Sequence, residues 1–293
     1  MLWPKNLSKK IKTKVNLADF TSFKIGGRAE YFFEPQNLKC LQQALISAQQ
    51  AGLRVFILGS GSNILVSDSG LAGLVIKLNH RNFKRIYCQD SCIIAGSGLK
   101  LSQLISFAAK RGLSGVEFLA GIPGSLGGSL MGNAGAWGNS IGALVKQLGV
   151  LDYNGKLKNL TAHQLKFGYR KSNLNKYIII WAKLKLSAEN KKVIASRVKE
   201  YLLKRKAAWQ NSLPSAGCIF KNPGLDPAGR LIELCGLKGQ AKGNAIICGQ
   251  HANFILNTGG AGSRDVLFLM DLMQRKVKAK FKVNLEPEIK IWK

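Results

Sequence analysis

The sequence predicts an α+β protein of two domains. The chain has 293 residues, more than one small core needs and about two domains by length. Segments with helical spacing of apolar residues, 38–51 and 101–111, are interleaved with short apolar runs of strand type, 54–58 and 177–186. Hydrophobic residues make up 46% of the chain, with 13 Phe, 6 Tyr and 5 Trp, enough to bury substantial cores rather than remain disordered.

In the first helical segment Leu38, Leu41, Leu45 and Ala48 share one face, and Gly52 stops it. Residues 54–58 (RVFIL) read as a buried strand that runs directly into Gly59-Ser60-Gly61-Ser62-Asn63. Leu101, Leu104, Ile105 and Ala108 repeat the helical pattern up to Gly112. From 115 to 142 glycine dominates, too densely for regular structure and in too apolar a setting for a flexible linker. Residues 148–160 predict a hairpin turning at Asn154-Gly155, a two-residue turn signal. Thr161 and Gln164 form a capping box for a short helix. A strand over 177–186 precedes a long basic amphipathic helix over about 190–209. The domain boundary falls near the start of that helix, giving domains 16–187 and 188–293. The second domain closes with a helix from Asp265 to about Lys282 and a strand over 283–292.

No apolar run reaches the roughly 18 residues of a membrane span. The charged N-terminus lacks the apolar stretch of a secretory signal, so a cytoplasmic protein is expected. The six cysteines include no Cys-x-x-Cys pair. Cys88 and Cys92 could be half a metal site, but no matching Cys/His pair follows, so free thiols and no metal are expected. Lys and Arg number 44 against 15 Asp and Glu, a net charge of +29. Such a field attracts polyanions. Nucleic acid, anionic nucleotides, or a lysine-rich habit on solvated faces would each account for it. The basic residues are spread along the chain without a tail or dense patch, which argues against nucleic acid.

Two loops carry chemistry. In Gly59–Asn63, glycines let the backbone approach a phosphate and successive N–H groups can form an anion-binding nest. Ile64 stands where a Rossmann fingerprint needs its third glycine. Alone, this loop does not separate a structural turn from a phosphate site. The second, Gly121-Ile122-Pro123-Gly124-Ser125-Leu126-Gly127-Gly128-Ser129, continues to Asn133-Ala134-Gly135-Ala136. It suits a dinucleotide pyrophosphate lying along backbone amides.

Together with Thr21–Gly27 (TSFKIGG), these loops resemble the FAD-binding half of the UDP-N-acetylenolpyruvoylglucosamine reductase family. Tyr169-Arg170-Lys171-Ser172, Pro214–Pro223 (PSAGCIFKNP), His251–Phe254 (HANF) and Leu285–Glu288 (LEPE) are similar to the family's later motifs, in its order. The resemblance covers about residues 16–291. It implies an FAD-binding domain of the vanillyl-alcohol-oxidase type, then a smaller α+β substrate domain, in the subtype without a tyrosine-bearing substrate loop. It implies NADPH-dependent, FAD-mediated reduction of UDP-N-acetylglucosamine enolpyruvate to UDP-N-acetylmuramate for peptidoglycan, by a protein expected to be a monomer.

Under that resemblance FAD is held by Ile25, Gly26, Gly27, Gly59, Ser60, Gly61, Ser62, Asn63, Gly121, Ile122, Pro123, Gly124, Ser125, Gly128, Ser129, Asn133, Ala134, Gly135 and Ala136. Arg170 faces the substrate carboxylate, as a delocalised cation with several donors. Glu288 orients or polarises the same group. Strand periodicity alone does not choose between Glu286 and Glu288, which share a face; the motif points to Glu288. Lys221 and Asn222 are implied substrate contacts, Asn253 a supporting one, and His251 a structural hydrogen-bonder. Cys218 departs from the family, which has serine as proton donor there. A thiol, with a free pKa of about 8.5, remains a plausible general acid, though it oxidises more readily. Two rivals stand beside this reading. Another FAD oxidoreductase of the same fold would keep the loops without needing Arg170, Cys218 and Glu288. A non-enzymatic polyanion binder would be colourless and bind DNA with steep salt dependence.

Overall fold

The computed structural model describes residues 2–208, 213–224 and 226–293. The chain divides into two units. The first comprises 1–13, 31–60 and 73–208; the second comprises 14–30, 61–72 and 209–293. This differs from the boundary expected near residue 188 in two respects. The helix Lys191–Ala208 belongs with the first unit, because Ile194 is buried and Val198 and Tyr201 pack on that unit's core. Segments 14–30 and 61–72 belong with the second, because Phe23, Ile25 and Leu65 are fully buried in its core. The expected last residue of the long helix, Trp209, lies outside the described residues.

The first unit is built on antiparallel pairing. Leu157–Thr161, Val145–Asp152, Tyr177–Lys185, Cys92–Gly96 and Ile86–Gln89 form a five-stranded sheet in that order. The apolar face of helix Leu101–Arg111 packs on it through Leu101, Leu104, Ile105 and Ala108. Gly112 ends that helix at φ 66°, a left-handed cap that costs glycine little. A second cluster sets helix Leu38–Gln50 against strands Val55–Leu58 and Leu71–Lys77, which run parallel. The hairpin expected at 148–160 forms, but its loop is longer than two residues. Asp152 accepts the amides of Asn154 and Lys156, so the carboxylate shapes the turn beside Gly155.

Residues 115–142 hold more regular structure than glycine content suggested. They contain a 3-10 turn Glu117–Leu119, a helix Leu126–Met131 and a two-strand ribbon pairing Gly135–Ala136 with Asn139–Ser140. Buried Leu119, Leu126 and Leu130 secure them, so local apolar anchors outweigh the entropy of the glycines.

The second unit centres on helix Ser263–Phe281, which buries Val266, Leu269, Met270, Met273 and Val277. Around it stand a three-stranded antiparallel sheet (Ala241–Lys242, Ala245–Ile247, Ile255–Asn257) and helix Ala228–Leu234. Strand Lys290–Trp292 pairs in parallel with Ile64–Val66. Regular strand structure thus begins only at Lys290, not at residue 283 as expected. Pro287 makes an isolated bridge to Phe220 instead, consistent with proline's exclusion from central ladders. No described helix is long and apolar enough to cross a membrane, and no cluster of possible metal ligands occurs among the described residues.

Candidate active site

In the first unit the strand Val55–Leu58 delivers Gly59 against the second glycine loop. A side chain at Gly59 would meet Ser125 Oγ at 2.7 Å and Gly128 Cα at 3.9 Å. Two segments far apart in sequence therefore lie side by side, as a shared diphosphate cradle needs. The second loop is pinned from below. Leu101 donates its amide to the Gly124 carbonyl, Leu126 to Leu99, and Gly127 to Ser97. Ser125 caps the short helix by accepting the Gly128 amide at 3.4 Å. Ser125 and Ser129 are buried, whereas Gly121, Pro123 and Gly128 are exposed. Backbone, not hydroxyl, thus faces outward, and the absence of a Cβ at Gly59 is what lets its backbone lie against Ser125. These features fit FAD.

Arg170 is tied to the same loop. It sits in the two-residue turn between paired Gly168 and Lys171, with φ 52°, a left-handed conformation uncommon for a side-chain-bearing residue. Its Nη1 donates to the Gly135 carbonyl at 2.9 Å, and its guanidinium lies 5.4 Å from the Tyr169 ring centre. Buried Asn133 joins the two segments. Its amide nitrogen donates to Gly168 O at 2.9 Å, and its oxygen accepts the Gly142 amide at 2.9 Å. Ser172 adds a bond to Met131 O at 2.8 Å. The side chain of Asn133, expected at the cofactor, is engaged in holding the Arg170 turn in place.

In the second unit Gly26, Gly27 and Gly61 allow backbone crossings. A Cβ on Gly27 would lie 2.3 Å from the Asp68 carbonyl oxygen, and one on Gly61 2.0 Å from that of Phe20. Ile25 is a fully buried core residue, so only its backbone is open to a ligand role. Asn63 donates to the Glu288 carbonyl at 3.2 Å, and its own carbonyl accepts the Lys290 amide.

The PSAGCIFKNP segment runs between two others. Ile219 donates its amide to Asn253 O at 2.8 Å, and its carbonyl accepts the Glu288 amide at 2.8 Å. Cys218 forms an isolated antiparallel bridge with Phe254 and is half-buried, in no disulfide. Cys218 and Glu288 are therefore held on adjacent backbones through one residue, Ile219. Buried Asn253 uses both ends of its amide on Phe220, accepting from its N–H at 2.9 Å and donating to its carbonyl at 2.8 Å. Its amide thereby sets this segment. Asn222 accepts the Ala228 amide at the start of helix Ala228–Leu234.

The two glutamates that periodicity left equivalent differ in environment. Glu286 is exposed and pairs with Lys221, while Glu288 is half-buried.

His251 is structural, as expected. It stacks edge-on against Phe254, accepts the Asn253 amide at 3.3 Å, and lies against Gly229. Burial pushes its pKa below the usual 6.5. Because the folded state favours neutral imidazole, this contribution to stability is complete above pH about 6.5 and declines as pH falls below it. His251→Gln should flatten the fall in melting temperature between pH 7.5 and 5.5, measured by thermal unfolding.

Sequence reading missed Glu117, buried four residues ahead of the second loop, and Ser97 beneath it. An acid inside the apolar run Val116-Glu117-Phe118-Leu119-Ala120 was the available signal for the first.

Comparison with known proteins adds the lineage. Residues 29–161 match the model of an FAD-binding domain family, and residues 208–292 that of the UDP-N-acetylenolpyruvoylglucosamine reductase C-terminal domain. The UDP-N-acetylenolpyruvoylglucosamine reductase of Clostridium tetani is 41% identical over 286 residues, covering 97% of this chain and 92% of its own. That of Desulforamulus reducens is 41% identical over 273 residues, covering 92% and 90%. The crystal structure of the Thermus caldophilus reductase superposes with a TM-score of 0.84 at 34% identity, covering 97% of this chain and 99% of its own. With the FAD domain, the C-terminal domain and near-full-length relatives in agreement, the chain belongs to the UDP-N-acetylenolpyruvoylglucosamine reductase family.

Proposed function

We propose that this protein reduces UDP-N-acetylglucosamine enolpyruvate to UDP-N-acetylmuramate with NADPH, in the cytoplasmic supply of peptidoglycan precursor. Family membership makes it an FAD oxidoreductase with NADPH as reductant. The observation that carries the finer reading is the backbone bond that sets the Cys218 and Glu288 segments side by side through Ile219.

The glycine-lined segments at Gly59 and Gly121–Ser129 hold the cofactor diphosphate through backbone amides. FAD held there would supply two-electron chemistry, by which a hydride from NADPH would reach the vinyl carbon that becomes the methyl group. Hydride addition leaves negative charge on the adjacent carbon and its carboxylate. Arg170 meets that charge with a planar set of donors. Glu288 orients the same group. Cys218 donates the thiol proton to the carbanionic carbon and recovers one from solvent. Lys221 and Asn222 contact the nucleotide sugar, with Asn253 behind them. Charge of +29 then serves anionic small ligands, and the protein acts as a monomer without nucleic acid.

The purified protein should be yellow with an oxidised-flavin spectrum. Anaerobic NADPH should bleach it, and the enolpyruvyl substrate should restore the colour where buffer alone does not. Bleaching without substrate-dependent recovery would indicate a flavin reductase of different specificity. A colourless protein that takes up no FAD would overturn the reading entirely.

A further inference from the structure

Glu117 is a carboxylate that the reaction does not use, yet it is only 3% exposed. Its Oε1 accepts from the Ser114 hydroxyl at 2.7 Å and from Arg197 Nη1 at 3.0 Å, and its Oε2 accepts the Gly115 amide at 2.6 Å. Arg197 Nη1 also reaches Ser114 Oγ at 2.9 Å, and Nη2 lies 3.9 Å from Glu189. Further along the same helix, Arg205 donates Nε to the Ala120 carbonyl at 3.0 Å. Its Cδ lies 2.6 Å from where a Cβ on Gly121 would stand, and Gly121 has φ 75°. Helix Lys191–Ala208 thus grips both ends of the segment 117–120, from which the loop Gly121–Ser129 departs.

Burial disfavours the Glu117 carboxylate. Its backbone bonds and those from Ser114 and Arg197 outweigh that penalty and hold its pKa below the usual 4.5, so the charge is retained. A surface ion pair needs no such enclosure. A buried carboxylate held by three hydrogen bonds is a rigid fixture, costly to break by removing one partner. Its location matters because glycine-rich segments have large backbone freedom. A loop that visits its binding-competent shape only part of the time binds with affinity reduced by that fraction.

We propose that Glu117, locked by Arg197, is a positioning residue for the flavin. It sets the departure of Gly121–Ser129 so that the loop's amides stand preformed as a diphosphate cradle. Glu117 itself touches no ligand. The inference rests on the assignment of that loop to FAD, and its test separates the two.

The test uses the full chain stripped of flavin, titrated with FAD by quenching of flavin fluorescence, with apoprotein melting followed in parallel. Glu117→Gln and Arg197→Met should each raise the FAD Kd about 10-fold or more. Combining them should add little, since one lock is broken once. Arg197→Met, which changes a partly exposed side chain, keeps the test open if Glu117→Gln does not fold. Once saturated with FAD, either variant should turn over within about 3-fold of wild type, because no reacting group has changed. A lowered apoprotein melting point with unchanged FAD Kd in both variants would overturn the proposal. Gly59→Val supplies the control: if it weakens FAD while the two lock variants do not, only the positioning role fails. If Gly59→Val also binds FAD normally, the loop assignment itself fails.

Discussion

Replacing Cys218 by alanine should slow reoxidation of the reduced enzyme by the enolpyruvyl substrate by about 10²–10⁴-fold, the usual worth of a general acid. Reduction of the flavin by NADPH should proceed at the wild-type rate. Backbone bonds, not the thiol, fix this segment: Ile219 is bonded to Asn253 and Glu288, and Cys218 bridges Phe254. Removing Sγ therefore leaves these backbone bonds in place and deletes the proton source. Cys218→Ser restores a hydroxyl at the same position and should retain useful turnover. Stopped-flow absorbance of the two half-reactions measures both effects. Equal slowing of both half-reactions in Cys218→Ala would refute the proton-donor role, since hydride transfer from NADPH needs no proton there.

Arg170 should show an opposite balance of stability and activity. Its φ of 52° costs about 1–3 kcal/mol for a side-chain-bearing residue. Glycine pays no such cost, but Arg170→Gly also loses the bond to the Gly135 carbonyl, worth about 1 kcal/mol. The melting temperature should therefore change little, while turnover falls by about 10²–10³-fold, as when a donor to a developing oxyanion is removed. Arg170→Lys keeps charge but not the planar fork and should also be costly. Retention of near-normal turnover by Arg170→Gly would mean that the strained turn serves the fold alone. Strain kept at one residue of a hairpin, where glycine would relieve it, is the physical argument that the guanidinium has a task.

The parts of this site written in local sequence were the legible ones. A strand ending in Gly59 and a glycine run from Gly121 declare close backbone approach, and those segments do meet at Ser125. The helices at 38–50, 101–111 and 263–281 followed their apolar spacing. What failed was whatever depended on partners distant in sequence. Phe23, Ile25 and Leu65 look like ordinary apolar residues until the second core claims them. Glu286 and Glu288 look equivalent only if residues 283–292 form a regular strand; Pro287 interrupts the ladder and Lys221 takes Glu286. Asn133 was expected at the cofactor and Asn253 in a supporting role at the substrate, from their places in the glycine-rich and HANF segments; their backbone partners lie far away in sequence. Each satisfies backbone groups that would be costly to bury unpaired, a task invisible in local sequence.

The pairing of Ile64–Val66 with Lys290–Trp292 also bears on how the chain matures on the ribosome. Asn63 and Glu288, bonded beside that ladder, are 225 residues apart. The early strand has no partner until Lys290–Trp292 is made, and closing so long a loop is slow. The second unit therefore cannot complete its folding before that distant partner exists.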